Sequence, residues 1–240
     1  MEFHIKCEPE DVSRYVFCPG SQSRAKRIAD SFEDMALVSD ERGIVVYTGT
    51  YKGIKMTSCG TGMGGPVVAI SMEELANMGA DTFIRVGSCG VFQDHQAPGD
   101  IIIASGTVRA GGTSKAYLPI EFPAVPTYEI MRQIVDTADR LEIPYAVGVG
   151  IAGDAFYSPT EPWEPGLLKK AGIMSVEMES DTLFIVGQYR GYRTGALYAS
   201  DGTNKEIKPE WGMEDYDKGE MNMIKIALEA MVAIAEDDQK

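Results

Sequence analysis

The feature that most constrains the fold of this chain is the alternation of strand-like and helix-like segments along its 240 residues. Short runs of β-branched and aromatic residues alternate with longer segments whose apolar residues recur every three or four positions. This alternation is typical of a layered α/β sheet. Because no repeat, linker or shift in composition divides the chain, we predict a single domain over residues 1–240.

The approximate bounds of these segments follow from the apolar pattern and the turn residues. We predict strands at 81–88, 99–112, 145–157, 172–179 and 193–202, a hairpin at 43–60 that turns at Lys52-Gly53, and helices at 65–80, 127–143, 180–191 and 220–238. Two long loops, 158–166 and 201–219, separate some of these segments, and loops of this length often cover binding sites.

Charge and cysteine usage exclude several classes of protein. The net charge is −14, which argues against the basic face that nucleic-acid binding requires. The four cysteines are scattered and form no C-x-x-C pair, so we predict reduced thiols, no disulfide framework and no metal site. The first ten residues are too polar for a signal peptide, and no apolar run approaches the ~18 residues of a membrane span. We therefore expect a cytoplasmic protein without membrane or nucleic-acid partners.

Arg85 is the most unusual residue of the predicted strands. It lies among Phe83, Ile84 and Val86, and the small-residue sequence Gly-Ser-Cys-Gly follows at 87–90, where we predict a turn. A guanidinium in a buried strand must be ion-paired or must face an anionic ligand. A turn of small residues would also expose backbone N–H groups. Arg85 and Ser88 are therefore candidates for an anion site, and a structural ion pair is the alternative.

Two further segments could contribute to such a site. Gly20 and Arg24 lie where a small-residue turn enters a predicted helix, and N–H groups at a helix start attract phosphate. Arg42 precedes a turn glycine, Gly43. The alternative for both segments is an ordinary loop that carries a surface arginine.

Three acidic residues stand near predicted strand ends. Glu177 and Glu179 flank Met178, and a carboxylate can accept hydrogen bonds from two adjacent ribose hydroxyls. Asp201 follows an apolar strand, where partial burial would raise its pKa and allow it to act as an acid. The alternatives are solvated acids for the first pair and a capping role for Asp201.

Two other motifs have weaker readings. Gly60, Gly62 and Gly65 match the dinucleotide-binding pattern G-x-G-x-x-G, but Arg85 stands where that pattern expects an acidic residue. Cys89 and His95 could form a nucleophile pair, although a small buried cysteine is the simpler interpretation.

Nine sequence motifs, taken together and in order, resemble the hexameric-type nucleoside phosphorylase family, which includes purine nucleoside and uridine phosphorylases. The resemblance covers nearly the whole chain. Within the family, the chain is most similar to the apicomplexan and bacterial purine nucleoside phosphorylases. It implies a three-layer α/β/α fold with a central twisted mixed β-sheet. The motifs are PGSQSRAKRIA, RGIVVYTGTYKG, GTGMGGP, FIRVGSCG, EFPAV, GDAFYSP, VEMES, ASDG and MIKIALEA.

The resemblance implies a role for each candidate residue. The phosphate site would be formed by Gly20, Arg24, Arg85 and Ser88, with Arg42 from a neighbouring subunit. Glu179, Met178 and the neighbour's His4 would bind the ribose, and Phe156, Val176 and Glu177 would line the base pocket. Asp201 would support protonation of purine N7.

The implied activity is phosphorolysis of purine nucleosides to the free base and ribose 1-phosphate. Inorganic phosphate would be a co-substrate, and no cofactor is implied. The implied assembly is a homo-oligomer, a hexamer built as a trimer of dimers with shared active sites. Alternatives are a uridine or broad-specificity phosphorylase, a hydrolytic nucleosidase, and a binding protein that senses nucleosides.

The chain departs from the family pattern at a few positions. The bacterial purine enzymes place an activating arginine after the aspartate, and Tyr216, with Lys218 close by, stands near that position here. Thr160 and Pro162 occupy the places of the glutamine and arginine that read uracil in uridine phosphorylases, whereas the segment 118–125 is similar to those enzymes.

Overall fold

A computed structural model describes residues 2–159, 164 and 166–240. Within this range nine strands form one mixed sheet in the order β2-β3-β4-β1-β5-β8-β7-β6-β9. The strands are β1 (Tyr15–Phe17), β2 (Glu33–Glu41), β3 (Ile44–Tyr51), β4 (Ile54–Gly60), β5 (Thr82–Val91), β6 (Ile101–Arg109), β7 (Ala146–Ala152), β8 (Ser175–Glu177) and β9 (Arg193–Ser200). The helices are α1 (Gln22–Ala29), α2 (Gly65–Asn77), α3 (Thr113–Tyr117), α4 (Tyr128–Arg140), α5 (Leu167–Lys170), α6 (Ser180–Arg190) and α7 (Met213–Asp237).

Helices cover both faces of the sheet, which confirms the predicted three-layer α/β/α architecture. One apolar cluster packs α1, α4 and α7 against the sheet, and it includes Ile84 and Val86 of β5. A second cluster packs α2 and α6 on the sheet, and it includes Phe83 and Cys89 of the same strand. Successive residues of a strand point to opposite faces, so β5 serves both clusters and is buried along most of its length.

The predicted hairpin is confirmed as β3 and β4, which pair antiparallel from Val45–Gly60 to Tyr51–Ile54. Lys52 and Gly53 at its turn both have positive φ angles, 49° and 79°. Such a turn matches the twist of the flanking strands.

The predicted helices at 65–80, 127–143 and 180–191 are confirmed with ends shifted by a few residues, and Gly191 ends α6 with a φ of 79°.

The prediction of a turn at 87–90 was wrong, because these residues continue β5. Ser88 pairs with Ala199 and Cys89 with Ser200 of β9, and Gly90 pairs with Val176 of β8. The backbone N–H groups are therefore used largely by neighbouring strands. Because β5 also pairs β9 while β9 pairs β6, strands β5 to β9 close into a ring that the alternation of segments does not reveal.

Other bounds also differ from the predictions. The long loop predicted at 201–219 is helical from Met213, so α7 has 25 residues rather than beginning near 220. Strand β7 ends at Ala152, before the predicted end at 157. Strands β1 and β2 were not predicted: β1 is only three residues long, and most of β2 is exposed without a clear alternation. No helix in the described part of the chain is long and apolar enough to cross a bilayer.

Candidate active site

Most of the polar residues predicted from the sequence lie where β5, β8 and β9 end and where α1 and α2 begin. Parallel pairing of β5 with β9 brings Cys89 beside Ser200, and the backbone N–H of Asp201 donates to the Cys89 carbonyl at 3.0 Å. Strand β8 pairs with the end of β5, so Glu177 lies in the same region. Ligands gather at the carboxyl ends of strands in open α/β sheets.

Arg85 is at the centre of this site and is only 3% exposed. Its Nε donates to Glu177 Oε2 at 2.7 Å, and its Nη2 contacts Glu179 Oε2 at 2.5 Å. These two carboxylates raise the pKa of Arg85 although burial acts in the opposite direction. The structural ion pair considered from the sequence is thus present, yet Nη1 is buried without a hydrogen-bond partner in the described chain.

Gly87 and Tyr198 explain how β5 accommodates this guanidinium. The two residues are register partners, and the Arg85 Cζ lies 5.8 Å from the centroid of the Tyr198 ring. A Cβ on Gly87 would lie 2.9 Å from Arg85 Nη2 and 3.2 Å from Tyr198 Cδ1. The glycine therefore provides the space in which the arginine folds over its own strand. The small-residue segment shapes the site because its glycine leaves space for the Arg85 side chain, and not because it forms a turn.

The carboxylate of Glu177 is fully engaged within the protein. It accepts hydrogen bonds from Arg85, from the backbone N–H groups of Glu179 and Ser180, and from the Ser180 hydroxyl at 2.6 Å. It thereby satisfies free N–H groups at the start of α6. The base-lining role that the resemblance implies for Glu177 remains a prediction, and its side chain positions Arg85.

Glu179 precedes α6 and joins two parts of the site. Its Oε1 accepts the backbone N–H of Gly64, just before α2, at 2.5 Å, while Oε2 contacts Arg85. Burial raises the pKa of Glu179, and Arg85 opposes that rise. Met178 beside it is half-buried. The glycine-rich segment that resembles a dinucleotide motif therefore supports a carboxylate here.

Gly20 lies beside Arg85, and Ser88 follows Arg85 by three residues in β5; both are half-buried. A Cβ on Gly20 would lie 3.8 Å from Arg85 Nη1 and 2.9 Å from the Gly62 carbonyl oxygen. The unbonded nitrogen of Arg85 thus approaches the loop before α1. Of the four phosphate-site residues expected from the same chain, Gly20 and Arg85 are therefore brought together.

Arg24, the fourth, lies in the first turn of α1 and is buried. It is ion-paired through Nε with Glu220, its Nη2 donates to the Tyr216 hydroxyl at 2.7 Å, and its Nη1 donates to the Val86 carbonyl at 3.4 Å. Burial lowers the pKa of Arg24, and the nearby Arg85 acts in the same direction, whereas Asp201 opposes it. The three residues are therefore close enough to influence one another.

Asp201 follows β9 and is half-buried. Burial raises its pKa, and Lys208 and Arg24 oppose the rise. The Lys208 Nζ lies 3.7 Å from Asp201 Oδ2. Tyr216, which the sequence places near the family's activating arginine, instead contacts Arg24. Lys208 is therefore the basic residue beside Asp201, and the sequence analysis missed it because it lies in an irregular loop.

His4 and Arg42 form a separate group outside this cluster. The His4 Nδ1 lies 2.6 Å from Glu74 Oε1, and the Arg42 guanidinium lies 5.7 Å from the centroid of the Phe3 ring. In the described chain neither residue has a hydrogen bond or ion pair to Arg24, Arg85 or Asp201. These are the two residues that the resemblance assigns to a neighbouring subunit.

Two of the three expected base-binding side chains, Phe156 and Val176, are exposed, whereas Glu177 is buried. Phe156 is 60% exposed and stacks edge-on with Tyr157, and Val176 is 39% exposed on β8. Thr160 and Pro162 lie outside the described residues. Among those described, no group of three or more His, Cys, Asp or Glu side chains could hold a metal ion.

Besides Lys208, the sequence analysis missed four supporting residues: Gly64, Glu74, Tyr198 and Glu220. The buried acids had a detectable signal, because an acidic residue on the apolar face of a helix needs a partner. Gly64 and Tyr198 gave no detectable signal in the sequence, because their contacts join segments far apart in the chain.

Comparisons with known proteins show the family of this chain. Residues 14–233 match the family model described as "Phosphorylase superfamily". The uridine phosphorylase of Thermococcus kodakarensis is 37% identical, covering 100% of this chain and 89% of the relative. The guanosine phosphorylase of Halorubrum lacusprofundi is 36% identical (96% and 98%), and the purine nucleoside phosphorylase of Plasmodium vivax is 33% identical (98% and 97%).

A solved structure supports the same assignment. Uridine phosphorylase from Vibrio fischeri superposes with a TM-score of 0.89 at 32% identity, and the match covers 95% of each chain. Proteins named for uridine and for purine nucleosides are thus similar to this chain over almost its full length. The family match, the similar relatives and the fold lead to one conclusion: this chain belongs to the nucleoside phosphorylase family.

Proposed function

We propose that this protein phosphorolyses purine nucleosides, of the inosine, guanosine and adenosine class, to the free base and ribose 1-phosphate. The observation that carries the proposal is the arrangement around Arg85. Two of its nitrogens are held by carboxylates, and the buried Nη1 approaches Gly20 without a partner. A fixed guanidinium with a free donor suits an oxyanion of phosphate.

The ribose would lie between this phosphate site and Glu179. As the glycosidic bond weakens, positive charge develops on the sugar, and a bound phosphate anion would stabilise it before bonding to C1′. Arg24 and Arg85 would hold that anion from their own chain. Holding both reactants in place provides much of the rate, and no covalent intermediate with the enzyme is needed.

Asp201 supports a purine as the leaving group. Burial favours its neutral form, and a neutral carboxyl can donate to the N7 acceptor of a purine. Lys208 would limit how far the pKa rises. Phosphorolysis of uridine is the second candidate, because relatives with 37% identity over the whole chain carry that name.

The proposal includes an assembly of identical subunits in which His4 and Arg42 complete a neighbour's site. Both residues lie together around the exposed ring of Phe3, apart from the Arg85 cluster. The hexamer implied by the family resemblance would provide such shared sites. Inorganic phosphate is the co-substrate, and we propose no other cofactor.

The experiment that tests the function is turnover of inosine and uridine, each with and without inorganic phosphate. We expect phosphate-dependent release of hypoxanthine and slow cleavage of uridine. Faster cleavage of uridine would favour the second candidate and leave the phosphate site in place. Cleavage that does not depend on phosphate would contradict both candidates, because Arg24 and Arg85 would then have no phosphate to bind.

A further inference from the structure

The loop after β9 turns back on itself and returns the chain to Asp201 at Lys208. Gly202 and Ile207 form an antiparallel bridge, and the backbone N–H of Lys208 donates to the Asp201 carbonyl at 2.8 Å. Lys208 has a φ of 49°, in the left-handed region that residues other than glycine seldom adopt. The closed loop therefore holds Lys208 next to the residue that we propose as the acid.

The ammonium group of Lys208 is available to a ligand. Its Nζ lies 3.7 Å from Asp201 Oδ2, and the lysine side chain is 63% exposed. That distance exceeds the length of a good hydrogen bond. Asp201 is the only ion-pair partner of Lys208 among the described residues. Because an ion pair with an exposed lysine is weak, the ammonium group can turn to a nearby acceptor at little cost.

The edge of a purine that carries N7 presents two polar positions side by side. N7 is an acceptor in every purine, whereas the neighbouring 6-position is an oxygen acceptor in a 6-oxopurine and an NH₂ donor in adenine. An ammonium group has three donors and no acceptor. Lys208 can therefore bond a 6-oxo group, but it has nothing to offer a 6-amino group.

We propose that Lys208 makes the site selective for 6-oxopurine nucleosides, of the inosine and guanosine class, over adenosine. Lys208 donates to O6 while Asp201 donates to N7, so the two residues together read one edge of the base. This inference rests on the proposed function, in which Asp201 faces N7. It adds the class of base that the site takes and the residue that selects it.

The same contact influences the protonation of Asp201. Burial raises the pKa of Asp201, and Lys208 is the strongest influence in the opposite direction. When O6 draws the ammonium group away, the neutral form of Asp201, which donates to N7, is favoured. With adenosine, Lys208 stays beside the carboxylate and favours the ionised form, which has no proton to donate. Both effects favour the 6-oxopurine.

The test is the ratio of kcat/KM for inosine to kcat/KM for adenosine, measured in the unchanged protein and in Lys208→Met. Methionine keeps an unbranched side chain and removes the donor. We expect the unchanged protein to prefer inosine and the ratio to fall by about tenfold in Lys208→Met, as is typical of losing one hydrogen bond from a charged group. The loss should affect inosine, while kcat/KM for adenosine stays the same or rises.

Lys208→Gln tests the same inference through a gain of activity, which a damaged fold cannot produce. A glutamine side chain has an amide oxygen that accepts from the 6-amino group, the pairing by which glutamine recognises adenine. We expect kcat/KM for adenosine to rise by about two- to tenfold, the effect of one hydrogen bond between neutral groups. No rise in Lys208→Gln would count against a contact between Lys208 and the 6-position.

Lys205→Met is the matched control. Lys205 is exposed in the same loop, where its backbone N–H donates to the Thr203 hydroxyl, so the variant removes the same charge without touching Asp201. Its ratio should equal that of the unchanged protein.

The outcomes separate this inference from the proposed function. A ratio near one in the unchanged protein, or an unchanged ratio in Lys208→Met, would overturn the inference while purine phosphorolysis stood. Absence of phosphorolysis with both nucleosides would contradict the proposed function, and the inference with it.

Discussion

At the scale of single residues, the site depends on how a buried charge is compensated. Arg85 would be costly in an apolar strand without Glu177 and Glu179. The two carboxylates leave one guanidinium nitrogen unbonded, so the same contacts that permit burial also orient the donor. Gly87 contributes by the absence of a side chain, which makes it the most direct position at which to disturb Arg85 without removing it.

Replacing Gly87 with alanine should weaken phosphate binding. The new Cβ would lie 2.9 Å from Arg85 Nη2 and 3.2 Å from Tyr198 Cδ1, both closer than an ordinary van der Waals contact. We expect KM for phosphate to rise about tenfold, equivalent to about 1.4 kcal/mol, as measured by initial rates at saturating inosine. Gly106→Ala on β6 is the control, because its Cβ would lie 3.4 Å from the nearest atom. An unchanged KM in Gly87→Ala would show that the position of Arg85 does not determine phosphate affinity.

Replacing Asp201 with alanine should remove the acid and keep the anion site. We expect kcat for inosine to fall by about 10²- to 10⁴-fold, the usual contribution of general acid catalysis. Phosphate binding, followed by calorimetry, should persist. Burial raises the Asp201 pKa, so the proton-donating form is lost as pH rises through that value, and kcat should fall on the basic side. Unchanged turnover in Asp201→Ala would rule out the role assigned to Asp201.

At the scale of elements, α7 connects the part of the site around Arg24 with the loop that carries Asp201. Its first turns carry Tyr216 and Glu220, which hold Arg24, and it follows directly the loop that carries Asp201 and Lys208. Gly219 allows this helix to lie against the backbone of Gly99. Because no side chain separates the two backbones, the position of α7 depends on that glycine.

Replacing Gly219 with alanine should therefore shift the helix. The Cβ would lie 2.3 Å from the Gly99 carbonyl oxygen, and a backbone atom cannot rotate away. We expect a loss of about 1–3 kcal/mol in the free energy of unfolding, as is typical of overpacking, together with a higher KM for phosphate. Met221→Ala, at an exposed position of the same helix, should change neither quantity. Wild-type stability and kinetics in Gly219→Ala would show that the contact with Gly99 is not required.

At the scale of the whole molecule, the proposed site is divided between subunits. Arg85, Glu179 and Asp201 come together within one chain, whereas His4 and Arg42 cluster around Phe3 elsewhere on it. A symmetric pair of chains could exchange these two residues in both directions, as an isologous interface requires.

Mixing two impaired variants tests this exchange. The assay uses a phosphate concentration well below the KM for phosphate of Arg42→Ala. Under this condition the Arg42→Ala and Asp201→Ala variants should each be weakly active. After dissociation and random reassembly, a hybrid pair has one doubly altered site and one intact site, so about a quarter of all sites should become intact. Recovery of activity would be measured against each variant treated alone. A mixture no more active than the two variants averaged would contradict a shared site.

The sequence alone determined the class of fold, the main helices and the hairpin, because these depend on local periodicity, and it indicated candidate polar residues from the cost of burying charge. Arg85 could be recognised as unusual for the same reason. Only the tertiary structure decided that 87–90 continues a strand, that α7 begins at Met213, and that Lys208 rather than Tyr216 accompanies Asp201. These outcomes depend on pairing between distant segments, which competes with local preference and leaves no periodic signal in the chain.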